Sequence, residues 1–333
     1  MKVICTATRV LAAVAALAGL MLPVVSAQDY RRGGGAAQSR VRVSYGSGST
    51  LFVQVVPDGR AALPFESDSP DTWTFQGDTA SLVGKSYTVR LENTGRSRIK
   101  VVIGVDGVNV YFRKPIVGAA DRDIGSILGA GQTRTVSGFQ SDEQTAQRFV
   151  FSPQAFSEGA NVRGARVGAI EVHVYEEYRP QAYRQEQDRS RSNAAPNSAA
   201  PPGIGTTAGD DVDSDVRRVA FTASTREPLA RLELNDGRPE EAREPIREDD
   251  RSLGRLGVSV EPDPGGLRIV RVERGALGDD LGLREGDVLT KLDTYARPTP
   301  AVLRRVLRDK RPGEYLFLEV LRGRHAVTFK ARL

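Results

Sequence analysis

Short runs of alternating apolar and polar residues fill residues 41–179, and this pattern constrains the chain more than any other feature. A period of two is typical of strands that bury one face. Turn signals separate the runs, among them Asn93-Thr94-Gly95 and Asp106-Gly107, which tolerate the positive φ angles of hairpin turns. Eight or nine runs without a sustained helical period predict a mainly β chain, with an antiparallel β-sandwich over residues 41–179.

One heptapeptide of this region, residues 104–110, reads Gly-Val-Asp-Gly-Val-Asn-Val. It resembles a domain with the pattern Gly-Val-Asp-Gly-x-Asn-Val that occurs in exported bacterial proteins. The resemblance implies no activity, so it leaves the role of the sandwich open.

Residues 1–27 have the organisation of a signal peptide. A positively charged start precedes an apolar run over residues 10–25, and the small residues Val25-Ser26-Ala27 end that run. The run is short for a membrane span and contains Pro23, which favours cleavage over an anchor helix. We therefore expect a periplasmic or secreted protein without a stable membrane span after cleavage, and a Gly-rich flexible tail over residues 28–40.

Cysteine usage and charge exclude further classes of protein. Cys5 is the only cysteine and lies in the predicted signal peptide, so we expect a mature chain without disulfides that depends on its core alone. The formal net charge is +5, and most of the cationic side chains are Arg. Basic residues are not interleaved with aromatic ones and no recognition-helix pattern occurs, so we expect no nucleic-acid partner.

Residues 180–252 have the composition of a linker between two folded domains. Residues 180–216 are rich in Ser, Asn, Ala, Pro and charged residues, and they contain too few apolar side chains to form a core. Residues 217–235 fit two short strands, which either add to the sandwich or support the next domain. The charged stretch over residues 236–250 contains two prolines and is interpreted as a solvated connector.

Residues 253–333 follow a definite order of elements. Two strands, the first opened by an apolar-Gly-apolar turn, precede a short helical connector and a Gly-Asp turn into a third strand. An amphipathic helix follows, with Thr299 as its N-cap and Pro300 in its first turn, and a hairpin closes the segment. This order resembles a PDZ domain of the bacterial HtrA/DegP kind, which implies an α+β, partly open barrel. The resemblance is carried by Leu256-Gly257-Val258, Gly275-Ala276, Leu283, residues 286–289 and residues 303–307.

The resemblance implies a peptide-binding groove. The Leu256-Gly257 turn allows successive backbone N–H groups to point into one hollow that suits a terminal carboxylate. The strand over residues 257–261 offers an edge to which a peptide can add as a further strand. The implied peptide-binding residues are Arg255, Leu256, Gly257, Val258, Ser259, Val260, Pro300, Arg304 and Leu307.

These residues have different expected roles. Leu256, Val258 and Leu307 would line the pocket for the last apolar side chain of the peptide, whereas Pro300 and Arg304 would face the groove from the helix. The alternative for the apolar residues is a place in the core, which is the expectation for Leu303 and Val306. Arg255 either assists the carboxylate or faces solvent.

No segment of the sequence has the pattern of a catalytic centre. HtrA-type PDZ domains usually follow a protease domain that needs a His, an Asp and a Ser in a Gly-rich loop, but this chain has only two histidines and no such loop. We place His173 at an exposed strand position and His325 in the closing hairpin. A zinc site needs three clustered ligands and a phosphate site needs a Gly-rich loop after a strand, so we predict no enzyme, cofactor or metal.

Three functions remain open. The first is an exported, non-catalytic adaptor whose PDZ domain binds C-terminal or extended apolar segments of envelope proteins. The second is a structural or cell-surface assembly protein in which the sandwich is the working part and the PDZ domain self-associates. The third is a regulatory partner of a separate periplasmic protease.

Overall fold

The structure of the protein is a computed structural model that describes residues 36–46, 48–162, 165–178, 203–236 and 256–333. The predicted signal peptide, most of the predicted tail and Arg255 lie outside the described residues, as do residues 180–202 and 237–252 of the predicted linker. The described residues are mainly β and form several antiparallel sheets, which confirms the predicted fold class. No helix among them is long and apolar enough to cross a membrane.

The first sheet has seven strands in the described part of the chain. They are β1 (Val41–Tyr45), β2 (Ser49–Pro57), β5 (Ser86–Asn93), β9 (Thr133–Val136), β10 (Gly138–Gln140), β11 (Thr145–Pro153) and β13 (Ile204–Asp213). The order is β1-β2-β5-β11-β10, with β9 also paired to β5 and β13 to β11. A short 3-10 helix, Ala80–Leu82, precedes β5, and a second, Gln154–Phe156, follows β11.

The second sheet also has seven strands in the described residues. They are β3 (Phe65–Ser69), β4 (Thr72–Phe75), β6 (Ile99–Val105), β7 (Val108–Asn109), β8 (Ser126–Leu128), β12 (Ala169–Glu176) and β14 (Ala230–Asn235). The order is β3-β4-β14-β12-β6-β7, and β8 also pairs with β6. The sequence predicted an antiparallel sandwich. The pairing of β14 with β4 is parallel, so this sheet is antiparallel except at that pair.

The two sheets share one apolar core to which strands of both contribute. In β1 the expected alternation is visible, because Val41, Val43 and Tyr45 are buried while the residues between them are exposed. In β6 all seven residues are buried. The loop after β7 explains this difference, since the side chain of Ile116 lies directly over Gly104 and covers the outer face of that strand.

The prediction of a linker over residues 180–252 is wrong for residues 204–213. These residues form β13, which pairs with β11 along its length, with an irregularity near Gln147. Polar and small residues suit this strand. The buried Thr206 hydroxyl forms a hydrogen bond with the Tyr87 hydroxyl, and Gly209 packs closely on Val150. Residues 217–235 include β14, which joins the sandwich, one of the two alternatives for that stretch.

The C-terminal residues form a third sheet of six strands. Its strands are β15 (Val258–Asp263), β16 (Gly266–Val272), β17 (Val288–Leu292), β18 (Tyr295–Ala296), β19 (Tyr315–Arg322) and β20 (His325–Arg332). Their order is β15-β16-β17-β19-β20, with β18 on β17. Two helices lie between the strands, α1 (Leu277–Asp280) and α2 (Pro300–Asp309). This succession of elements matches the order expected from the sequence.

The C-terminal sheet packs directly on the sandwich, and residues 36–333 form one compact unit. Tyr315 and Phe317 of β19 belong to the sandwich core, where the ring of Phe317 lies 5.0 Å from that of Phe156. The Tyr315 hydroxyl donates to Asp210 of β13 over 2.5 Å, and Arg332 pairs with the same carboxylate at 2.6 Å. The two predicted domains are therefore joined by a shared core as well as by the chain between them.

Candidate peptide-binding edge

The Leu256-Gly257 turn that opens β15 has a fixed geometry. The carbonyl of Leu256 accepts from Gly278 N–H, and that of Gly257 accepts from Glu273 N–H, each over 2.8 Å. Gly257 has a φ of 64°, and a Cβ there would overlap the Cβ of Ala276. Only glycine fits this position without strain, which explains the apolar-Gly-apolar pattern at residues 256–258.

The strand β15 is an edge of its sheet and pairs only with β16 among the described residues. Gly257 directs its carbonyl towards the β16 side, where it meets Glu273. Because backbone polar groups alternate in direction along a strand, Val258 and Val260 direct theirs towards the open side. In addition, no backbone acceptor for Gly257 N–H lies within the described residues. This edge therefore presents unpaired backbone groups in the register that strand addition requires.

Helix α2 lies beside this edge and is built as the sequence predicts. Thr299 accepts from Val302 N–H over 3.3 Å, and Pro300 occupies the first turn. Leu303, Val306 and Leu307 are buried, and the helix contacts β15. The strand and the helix are thus neighbours, as the predicted groove requires.

The structure places the predicted pocket residues in the core of the C-terminal sheet. Leu256, Val258 and Leu307 are 1%, 6% and 0% exposed and pack together with Leu303 and Val306. Val260 is partly buried and Ser259 is exposed, whereas Pro300 and Arg304 are half-buried. These three apolar side chains therefore belong to the core and leave little accessible surface for a peptide side chain. Arg255 is outside the described residues.

Helix α2 carries three arginines, Arg304, Arg305 and Arg308. The Arg305 guanidinium lies 5.1 Å from the ring centre of Tyr295, and Arg308 pairs with Asp309 at 3.0 Å. Together with Arg304 they give this helix a positive face.

His173 is partly buried, so the prediction of an exposed strand position is wrong. The loop after β7 covers this face of β12, and Gly118 approaches the imidazole closely. Burial, together with the nearby charge of Arg231, lowers the pKa of His173 to about 4. His325 is exposed at the start of β20. No group of three or more potential metal ligands occurs among the described residues.

The motif at residues 104–110 forms hydrogen bonds to several distant segments inside the sandwich. Asp106 and Gly107 adopt φ angles of 53° and 77° and form the hairpin between β6 and β7. The Asp106 carboxylate is 1% exposed and accepts hydrogen bonds from the N–H groups of Gly168 and Thr206. Asn109 donates to the Ile124 carbonyl over 2.8 Å. The sequence identified the hairpin but gave no sign of these long-range partners.

Comparison of the chain with protein-family models and with curated proteins finds no match.

Proposed function

We propose that residues 256–333 are a PDZ-like module that binds C-terminal or extended apolar segments of envelope proteins. The observation that carries this proposal is the open edge of β15, with the Leu256-Gly257 turn at its start and α2 alongside. A peptide can extend such an edge through backbone hydrogen bonds, and its terminal carboxylate can accept N–H groups of the turn. The protein would act as a non-catalytic adaptor in the periplasm or outside the cell.

The burial of the pocket residues decides how selective this module is. Leu256, Val258 and Leu307 are buried members of one apolar core, so a large C-terminal side chain enters only if this core rearranges. Backbone pairing and the carboxylate therefore supply most of the binding energy. We expect affinity to depend more on a free C-terminus than on the identity of the last apolar residue.

Peptide binding to the full chain tests this proposal. Fluorescent peptides that end in an apolar residue, prepared with a free or an amidated C-terminus, would be titrated into the protein. Hydrogen bonds to a charged group contribute about 1.5–3 kcal/mol, so the free acid should bind at least about tenfold more tightly. Equal affinity for both forms, or no binding of either, would contradict the proposal, and self-association without peptide binding would favour the structural alternative.

A backbone variant locates the binding edge. Val260→Pro removes an N–H group that faces the open side of β15, so it should weaken binding about tenfold while the sheet keeps its own hydrogen bonds. Val270→Ala is the control, because it changes an exposed side chain of the neighbouring strand β16, outside the proposed edge, and keeps the backbone. Circular dichroism and thermal melting establish that both variants fold. Unchanged binding by a folded Val260→Pro variant would place the peptide elsewhere.

A further inference from the structure

Two buried carboxyl groups meet inside the sandwich, away from the proposed groove. Asp106 lies in the turn between β6 and β7, and Asp236 follows the last residue of β14. Gly168 connects them, because its N–H donates to Asp106 over 2.8 Å and its carbonyl accepts Asp236 N–H over 2.9 Å. The two side chains therefore converge at the start of β12.

Three glycines make room for these carboxyl groups. A Cβ at Gly168 would lie 2.5 Å from an Asp236 oxygen, and one at Gly203 would lie 2.6 Å from both Asp236 oxygens. A Cβ at Gly205 would lie 3.0 Å from an Asp106 oxygen. The carboxyls border a cavity of about 40 Å³, which is large enough for water. One Asp236 oxygen has no hydrogen-bond partner among the described residues.

The surroundings contain little to compensate two negative charges. The titratable groups that face the pair are Tyr87, whose hydroxyl is 2.8 Å from that of Thr206, and Glu158 on the loop after β11. Glu158 adds a negative charge, although Arg113 pairs with it at 3.6 Å. The rest of the lining consists mainly of apolar side chains from both sheets. Burial raises the pKa of Asp106 to about 7, and burial together with the charge of Asp106 raises that of Asp236 to about 9.

The first residues of β13 depend on this pair. Thr206 donates its N–H to Asp106, and Gly203 and Gly205 pack against the two carboxyls. Further along the same strand, Asp210 contacts the C-terminal sheet through Tyr315 and Arg332. The Ala208 carbonyl between them accepts from Lys330. One strand thus connects the buried carboxyls to the interface with the C-terminal sheet.

We propose that Asp106 and Asp236 hold a single proton between them at neutral pH and act as a pH-sensitive lock on the start of β13. With one proton, Asp106 accepts the two backbone N–H groups as a carboxylate while Asp236 stays neutral. Loss of that proton places two like charges side by side in an apolar interior, which drives the start of β13 outwards. The interface with the C-terminal sheet loosens with it, whether or not the groove binds peptides.

The sign of the pH effect follows from the raised pKa values. Both lie above the unfolded value of about 3.9, so the folded state binds these protons more tightly than the unfolded chain. The stabilisation is fully present below about pH 4 and declines as the pH rises through about 7 and about 9. Local opening of β13 should therefore increase with pH, by up to about tenfold per pH unit for each proton that is lost.

Hydrogen exchange of the full chain between pH 6 and pH 10 tests the lock, after correction for the intrinsic exchange rate. In the wild type, protection of the amides of residues 205–208 should fall as the pH rises. Asp236→Asn keeps the shape of the neutral acid and leaves only Asp106 to titrate, at its pKa of about 7, so protection should stay nearly constant at higher pH. Asp211→Asn, an exposed carboxyl on the same strand, should behave as the wild type does.

Two results would overturn the proposal. One is wild-type protection that does not change with pH, and the other is an Asp236→Asn variant that follows the wild-type profile. If that variant does not fold, carboxyl-carbon NMR of the wild type tests the proposal instead, because it measures the pKa of Asp236 directly. A titration of Asp236 near its ordinary pKa of about 4 would exclude a shared proton at neutral pH.

Discussion

Lys310 connects the C-terminal end of helix α2 to the sandwich. It follows the last residue of the helix, its side chain is 6% exposed, and its ammonium pairs with Asp293 at 2.7 Å. The same ammonium donates to the Val83 carbonyl of the sandwich over 2.8 Å and to the Tyr315 carbonyl over 2.6 Å. The sequence shows only a lysine after an amphipathic helix, because a buried role depends on partners that are distant along the chain.

We predict that Lys310→Met destabilises the protein by about 3–5 kcal/mol, because it leaves the Asp293 carboxylate buried without its cation. Chemical denaturation of the full chain measures the change in the free energy of unfolding. Lys291→Met is the control, since its ion pair with Glu319 is half exposed and is worth about 0–1 kcal/mol. Equal effects of the two substitutions would show that Lys310 is not an interface residue in solution.

Helix α2 is the element for which sequence and structure agree most closely. Thr299 as N-cap, Pro300 in the first turn and the buried face of Leu303 and Val306 all follow from local rules, and all are present. Strand β13 is the opposite case. Its residues have the composition of a linker. They form a strand because they pair with β11 and because Asp106 accepts a hydrogen bond from Thr206 N–H.

For the helix, we predict that Thr299→Ala lowers the free energy of unfolding by about 1 kcal/mol, because the N-cap hydrogen bond is lost. Thr328→Ala, at an exposed position of β20, should have a smaller effect. Denaturant titrations of the two variants and the wild type, measured side by side, give the comparison. A Thr299→Ala variant as stable as the wild type would mean that the cap contributes nothing in this fold.

At the scale of the whole molecule, the C-terminal sheet and the sandwich behave as one body in the structure. Gly84 of the sandwich accepts Tyr315 N–H over 2.9 Å, and a Cβ at Gly84 would overlap the Tyr315 carbonyl. Phe317 and Tyr315 complete the sandwich core. The expectation of two independent domains came from the composition between them, which carries no information about their surfaces.

Limited proteolysis measures this association. Cleavage should begin in residues 180–202 and 237–255, where the sequence lacks the apolar residues of a core. Because β19 packs into the sandwich, we expect the C-terminal fragment to co-elute with the sandwich on gel filtration and to separate only in denaturant. A C-terminal fragment that elutes alone under native conditions would contradict the shared core.

Four features follow from the amino-acid sequence: the mainly β class, the order of elements after residue 255, the glycine turn at Leu256-Gly257 and the capped helix. Each of these rests on the alternation of side chains or on the backbone preferences of a few neighbouring residues. Tertiary structure alone decided the strand pairing of β13, the burial of Val258 and His173, and the meeting of Asp106 with Asp236. These features depend on which distant surfaces come into contact, and local patterns do not encode the partner that covers a face or accepts a hydrogen bond.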